Sequence, residues 1–233
     1  MSPKDRQLDE YQNLVLLCRA LWRQGFCDLL PGQISVRQDH GNLLVASTLR
    51  RWDQMRVLDV SLHSANGTPL DGSQQQGGVA AIRALHAKRP GAVWVGLLRS
   101  RAVAYWSCTE RVPRAYDELA ALSGGIERVP VSRLDDTESL SESLGGLPDP
   151  LPILLFDGLG ALLAAQTLEQ FASRAVALEV RARTAIDLEG VLDARELKLD
   201  RERQIFSALD GESPGLWPAL VNTELQNDSA FLD

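Results

Sequence analysis

Residues 32–46 read Gly-Gln-Ile-Ser-Val-Arg-Gln-Asp-His-Gly-Asn-Leu-Leu-Val-Ala. Ile34 to Arg37 alternates apolar and polar side chains, the pattern of a half-buried strand. Asp39-His40-Gly41-Asn42 is turn chemistry, and Leu43–Ala46 is a second apolar run. Together they predict a β-hairpin. Upstream, Asp9 to Gly25 carries Leu14, Leu17, Leu21 and Trp22 at helical spacing and stops at a glycine. Downstream, Arg56–Leu62 alternates again before an Asn66-Gly67 turn, which predicts a third strand.

The rest of the chain continues the mixture. Gly78–Lys88 reads as a helix stopped by Arg89-Pro90, and Ala92–Leu98 as a buried strand. Arg114–Leu122 is helical in pattern and ends at Gly124-Gly125, and Arg128–Ser132 is a short strand. Asp135–Leu144 reads as a short surface helix, followed by a Pro-rich connector. Ile153–Phe156 and Ala161–Ala164 flank Asp157-Gly158-Leu159-Gly160, a second hairpin. Thr167–Ile186 is a long helix with Phe171, Ala175 and Leu178 inward, and a further helix falls near Ala194–Leu209. The expected architecture is α+β, with helices layered on both sides of a mostly antiparallel sheet (α/β/α). The expected organisation is one domain over residues 1–210 and a tail, 211–233, frayed beyond Gly211.

Composition narrows the function. The 233 residues hold 24 Lys+Arg against 31 Asp+Glu, a net charge of −7, and 45% are hydrophobic. That is a globular balance, and its acidic sign argues against nucleic-acid and anionic-membrane partners. The longest apolar stretches, Leu151–Phe156 and Leu159–Ala165, fall well short of the roughly 20 residues of a membrane span. The N-terminus has no apolar leader region. Cys18, Cys27 and Cys108 read as free thiols in a reducing cytoplasm; for Cys18 and Cys27, two packed thiols are favoured over a redox pair. His86 reads as a surface or half-buried helix histidine, and His40 and His63 as solvated turn residues. Asp117 and Glu118 suit a helix N-terminus.

The ordered set of motifs resembles the class II aldolase/adducin family over roughly residues 10–190. Gly32-Gln-Ile-Ser-Val-Arg37 is similar to its G-N-[IV]-S-x-R, and Ser47-Thr48 stands at its Thr/Ser-Gly step. Arg89-Pro90, Val112-Pro113, Gly124-Gly125, Val129-Pro130-Val131 and Leu154-Leu155-Phe156-Asp157-Gly158 continue the run. The resemblance implies a nine-stranded, mostly antiparallel sheet, a ring tetramer with sites at subunit boundaries, and a divalent metal. Such an ion is held by an H-x-H on the central strand, whose i and i+2 side chains share a face, and by a histidine in a turn. It polarises a carbonyl and stabilises an enediolate.

In this sequence the resemblance puts those three ligands at Leu97, Arg99 and Asp157, and the catalytic carboxylate at Gly78. The family's catalytic tyrosine falls beside Tyr116. The implied reading is a family member without metal or other cofactor: a pseudoenzyme or structural subunit, in a homo-oligomer or beside a paralogous aldolase-fold subunit, that binds a small anionic molecule. Arg99, Arg101, Gln33, Ser47 and Thr48 are its candidate ligand-binding residues. The alternative is a metal-independent lyase-type enzyme with Tyr116 and Asp157 as catalytic groups. An Arg99–Asp157 ion pair is expected at the old metal position. A closed, Leu97-filled site favours the first reading; convergent polar groups in an open pocket favour the second.

Overall fold

A computed structural model describes residues 3–27, 32–46, 50–71, 79–129, 142, 144, 146–148, 152–191, 194–209 and 216–227. In chain order its elements are α1 (Pro3–Arg23), β1 (Gln33–Arg37), β2 (Leu43–Ala46), β3 (Val60–His63), α2 (Val79–Lys88), β4 (Trp94–Leu98) and α3 (Arg101–Ser107). They continue with α4 (Glu118–Ala121), β5 (Ile126–Val129), β6 (Ile153–Phe156), β7 (Gly160–Ala165), α5 (Leu168–Asp187), α6 (Leu199–Leu209) and α7 (Leu216–Asn227). The described strands form a seven-stranded sheet in the order β3-β2-β1-β4-β7-β6-β5, where the resemblance implied nine. Every neighbour pair is antiparallel except β5 with β6. Both predicted hairpins form, with Val36 opposite Leu44 and Phe156 opposite Gly160.

β4 is the middle strand, and all five of its residues are buried. Their side chains alternate as a strand requires. Trp94 and Leu98 join the larger core, with Leu14, Leu17 and Leu21 of α1 and Phe171, Ala175 and Leu178 of α5. Val95 and Leu97 join a second core, with Ile82 and Leu85 of α2 and Leu154, Phe156 and Leu162 of the neighbouring strands. Helices therefore cover both faces of the sheet. Gly96 lets α5 come close: a Cβ there would lie 2.6 Å from Phe171 Cζ.

Local signals set the boundaries. Thr167 caps α5 by accepting from Gln170 N–H at 3.2 Å, and the Gln170 side chain accepts from Thr167 N–H in return, a capping box. Where a strand was expected from Arg56, residues Val57–Asp59 form a single 3-10 turn and the strand starts at Val60. The helix expected from Arg114 shrinks to Glu118–Ala121, because Asp117 is its N-cap and accepts from Ala120 N–H at 2.7 Å. Most of the predicted 135–144 surface helix lies outside the described residues; its Leu144 is buried in the second core.

The expected fraying beyond Gly211 is corrected over residues 216–227; residues 211–215 and 228–233 lie outside the described residues. Residues 216–227 form α7, which lies against α1 and α5. Trp217 is only 7% exposed and belongs to the larger core. Arg23 of α1 pairs with the buried carboxylate of Glu224. The Trp217 indole, the packing of Leu216, Leu220 and Val221 on the same core, the helix's own hydrogen bonds and the Arg23–Glu224 pair together offset the entropy of ordering this segment. Trp217→Ala is expected to lower the unfolding free energy by about 3 kcal/mol in urea denaturation. A change under about 0.5 kcal/mol, the size of an exposed-site substitution, would mean that α7 is undocked.

Candidate functional site

The site grows from the end of β4. β1 pairs with β4 so that Gln33 lies opposite Leu97. Gln33 is 1% exposed and Leu97 4% exposed, so the alkyl side chain of Leu97 sits closed in the second core. The strand stops at Leu98, because Ser100 caps α3 and accepts from Val103 N–H at 3.0 Å. The Ser100 hydroxyl also donates to the buried carboxylate of Glu179 on α5. Trp106 holds the other end of α3, donating Nε1–H to Ala182 O at 2.9 Å.

Arg99 occupies the junction between strand and helix. Its backbone O accepts from Cys27 N–H at 2.5 Å. Its half-buried guanidinium donates through Nε to Leu159 O at 2.6 Å. Burial lowers the guanidinium from its usual value, and the nearby Cys27 thiol opposes that shift. Among the described residues neither terminal nitrogen of Arg99 has a partner. Gly160 makes room for this side chain. Its φ is +112°, and a Cβ there would lie 2.6 Å from Leu98 O and 2.8 Å from Arg99 Cγ.

Asp157 does not pair with Arg99, which corrects the expected ion pair. Its carboxylate accepts from Arg128 of β5. The parallel register explains the choice: Arg128 lies opposite Leu155 and Val129 opposite Phe156, so Arg128 flanks the turn that begins at Asp157. Arg128 also donates to Trp106 O at 3.0 Å and Ser107 O at 3.4 Å, and Gly158 N–H donates to Ser107 O at 3.0 Å. The β6–β7 turn is thereby held to the end of α3 on one side and to Arg99 on the other. Nothing local in the sequence marks Arg128 for this role; only the β5–β6 pairing reveals it.

Of the candidate residues, Gln33, Leu97, Arg99 and the Asp157 turn come together at one end of the sheet. Arg101 does not share a strand face with Arg99. It opens α3 and lines a groove of about 460 Å³ with Tyr105, Arg183 and Asp187. Tyr116 packs half-buried against the larger core. Ser47, Thr48 and Gly78 lie outside the described residues. Cys18 and Cys27 are both buried, and burial together with the neighbouring Cys27 raises the Cys18 thiol well above its usual value.

The three histidines stand in three separate places. His40 is exposed in the β1–β2 turn. His63, expected in solvent, is fully buried; it donates Nδ1–H to Gly67 O at 3.2 Å and accepts from Ser61 Oγ at 2.9 Å. His86 is also buried. It donates Nδ1–H to Ala92 O and accepts from Ser35 Oγ, each at 2.9 Å. Among the described residues no three His, Cys, Asp or Glu side chains cluster as metal ligands would. No described helix is long and apolar enough to cross a membrane.

The sequence profile of the Class II Aldolase and Adducin N-terminal domain matches residues 12–186. The chain belongs to that family. Among curated proteins none matches it significantly. Its fold is similar to that of an aldolase II superfamily protein from Pseudomonas syringae, at 17% identity and a TM-score of 0.82, covering 100% of this chain and 98% of that one. L-fuculose 1-phosphate aldolase from Glaciozyma antarctica aligns at 16% identity and a TM-score of 0.78, covering 94% and 89%. The L-fuculose-1-phosphate aldolase from Thermus thermophilus aligns at 16% and 0.63, covering 81% and 100%. At these identities the likeness establishes the class II aldolase-like fold.

Burial pushes the His86 imidazole down from 6.5 to about 4, aided by Arg37 and opposed by the Ala92 hydrogen bond. The native state therefore holds this histidine neutral where an unfolded chain would already protonate it. The stabilisation is complete above pH 6.5 and is lost as the pH falls toward 4. It amounts to roughly 3 kcal/mol across that window. Urea titrations of wild type and His86→Gln across the window should show the flatter pH dependence in the variant; identical slopes would contradict the assignment.

Proposed function

We propose that this chain is a class II aldolase-fold protein that works without the family's metal chemistry, as a pseudoenzyme or structural subunit whose inherited site holds a small anion on Arg99. One observation carries the reading. At the end of β4 stands a half-buried guanidinium whose terminal nitrogens have no partner among the described residues, while the neighbouring carboxylate is already neutralised by Arg128.

The residues at the family's ligand positions do not fit a divalent cation. Leu97 has no donor atom. Arg99 brings a fixed positive charge, which at about 4 Å and an effective dielectric near 20 repels a divalent ion by roughly 8 kcal/mol. The Asp157 carboxylate would have to leave Arg128 to become a ligand. The same groups suit an anion, because a partly desolvated guanidinium gains a charge-assisted hydrogen-bonded partner. Burial of Leu97 favours this reading over a metal-free lyase. Tyr116, packed on the core, and Asp157, held by Arg128, lend that alternative little support. Assembly with further copies or with an active paralogous subunit is part of the proposal, as the family's sites at subunit boundaries suggest.

Calorimetric titration tests the reading. Acetate or inorganic phosphate should bind the wild-type chain, and Arg99→Met should weaken that binding at least tenfold, the worth of a hydrogen bond to a charged group. Equal binding by wild type and variant would contradict it, as would cleavage of a sugar phosphate by the zinc-treated protein.

A further inference from the structure

Which anion the turn accepts depends on three things around Arg99: net charge, the state of the backbone donors, and the polarity of the wall. The charged side chains that grip the turn are Arg99, Arg128 and Asp157. Arg128 and Asp157 neutralise one another, so among the described residues one positive charge remains. A monoanion cancels it. A dianion would leave an excess negative charge in a partly desolvated place beside the Asp157 carboxylate, which low local dielectric penalises.

Phosphate sites usually gather several free backbone N–H groups at a glycine-rich turn. The Asp157–Gly160 turn has the glycines but not the donors. Gly158 N–H donates to Ser107 O at 3.0 Å, and Leu159 N–H to Phe156 O at 3.1 Å. Gly160 lies in the β6–β7 ladder opposite Phe156. Among the described residues at this turn, what remains is one guanidinium whose Nε is fixed on Leu159 O and whose two terminal nitrogens form a flat fork. That shape matches the two oxygens of a carboxylate. The side chain next to Arg99 on the turn is apolar: Leu159 is part-buried and packs against the second core.

We propose that the inherited site binds a monocarboxylate with a short apolar body, gripped end-on by the terminal nitrogens of Arg99 and lying against Leu159. The inference rests on the anion reading above and sharpens it to a ligand class that differs from a sugar phosphate. Arg99 acts here as a binding residue; no covalent step is involved.

The test is calorimetric titration of the full chain at pH 7.5 with 3-methylbutanoate, acetate and inorganic phosphate. The expected order is 3-methylbutanoate first, acetate next, and inorganic phosphate at least tenfold weaker than 3-methylbutanoate. Arg99→Lys keeps the charge but loses the fork, and is expected to weaken 3-methylbutanoate about tenfold. Leu159→Ser, at a part-exposed turn position, leaves Arg99 intact and should bring 3-methylbutanoate down to the level of acetate. Phosphate binding as tightly as the carboxylates overturns this inference and leaves the anion reading standing. Full 3-methylbutanoate affinity in Arg99→Lys, or an unchanged preference in Leu159→Ser, also overturns it. If none of the three anions binds the wild-type chain, both fall.

Discussion

Five consecutive buried residues, Trp94–Leu98, leave β4 no face for water. A strand in that position must satisfy its backbone on both edges and its side chains on both faces. β1 and β7 supply the edges, and α1, α5 and α2 supply the faces. The absence of a side chain at Gly96 sets how closely Phe171, and with it α5, approaches the sheet. Once β4 is fixed, the next residues have little freedom. Arg99 falls at the edge of the buried zone, and Ser100 turns the chain into α3. The candidate site is the place where the central strand stops.

The chain handles buried charge in one recurring way: arginines donate to backbone carbonyls at the ends of elements. Arg174 donates to Ala164 O at 2.7 Å and Ser123 O at 3.3 Å. Arg181 donates to Pro113 O at 2.8 Å and Gly124 O at 3.0 Å, and pairs with Glu202 of α6 at 2.5 Å. Burial lowers the Arg181 guanidinium from its usual value, with Glu202 opposing the shift. Arg128 and Arg99 do the same at the β6–β7 turn. A guanidinium has five donors in a rigid fork, so it can hold a loop and still answer a carboxylate. Arg99 differs in using one donor locally, its terminal nitrogens having no partner among the described residues. That difference is why Arg99 is the proposed binding group, whereas Arg128, Arg174 and Arg181 brace backbone carbonyls.

Much of the fold was legible in the sequence, and for physical reasons. The 32–46 hairpin has alternation and turn chemistry in register. α5 has a Thr-x-x-Gln capping box and an apolar stripe. The site was legible only in part. Arg99 meets the turn that Asp157 opens, but the expected Arg99–Asp157 pair does not form, because Arg128 reaches Asp157 through a strand pairing that spans about thirty residues of sequence. α3 was hidden because Arg99 and Arg101 extend the period of the preceding strand, and the only contrary signal is the single capping serine, Ser100. His63 gave no sign of burial; its partners come from Ser61, two residues before it, and from the carbonyl of the Gly67 turn. The docking of α7 depends on Trp217 and Glu224 meeting α1, a contact between opposite ends of the chain.

The central claim is that the family's metal position has become an arginine-centred anion position. Elemental mass spectrometry of the purified protein, after incubation with zinc and desalting, tests it most directly. The account predicts zinc far below one equivalent per chain, unchanged in Asp157→Asn. Near-stoichiometric zinc that falls away in that variant would show Asp157 acting as a ligand and would contradict it.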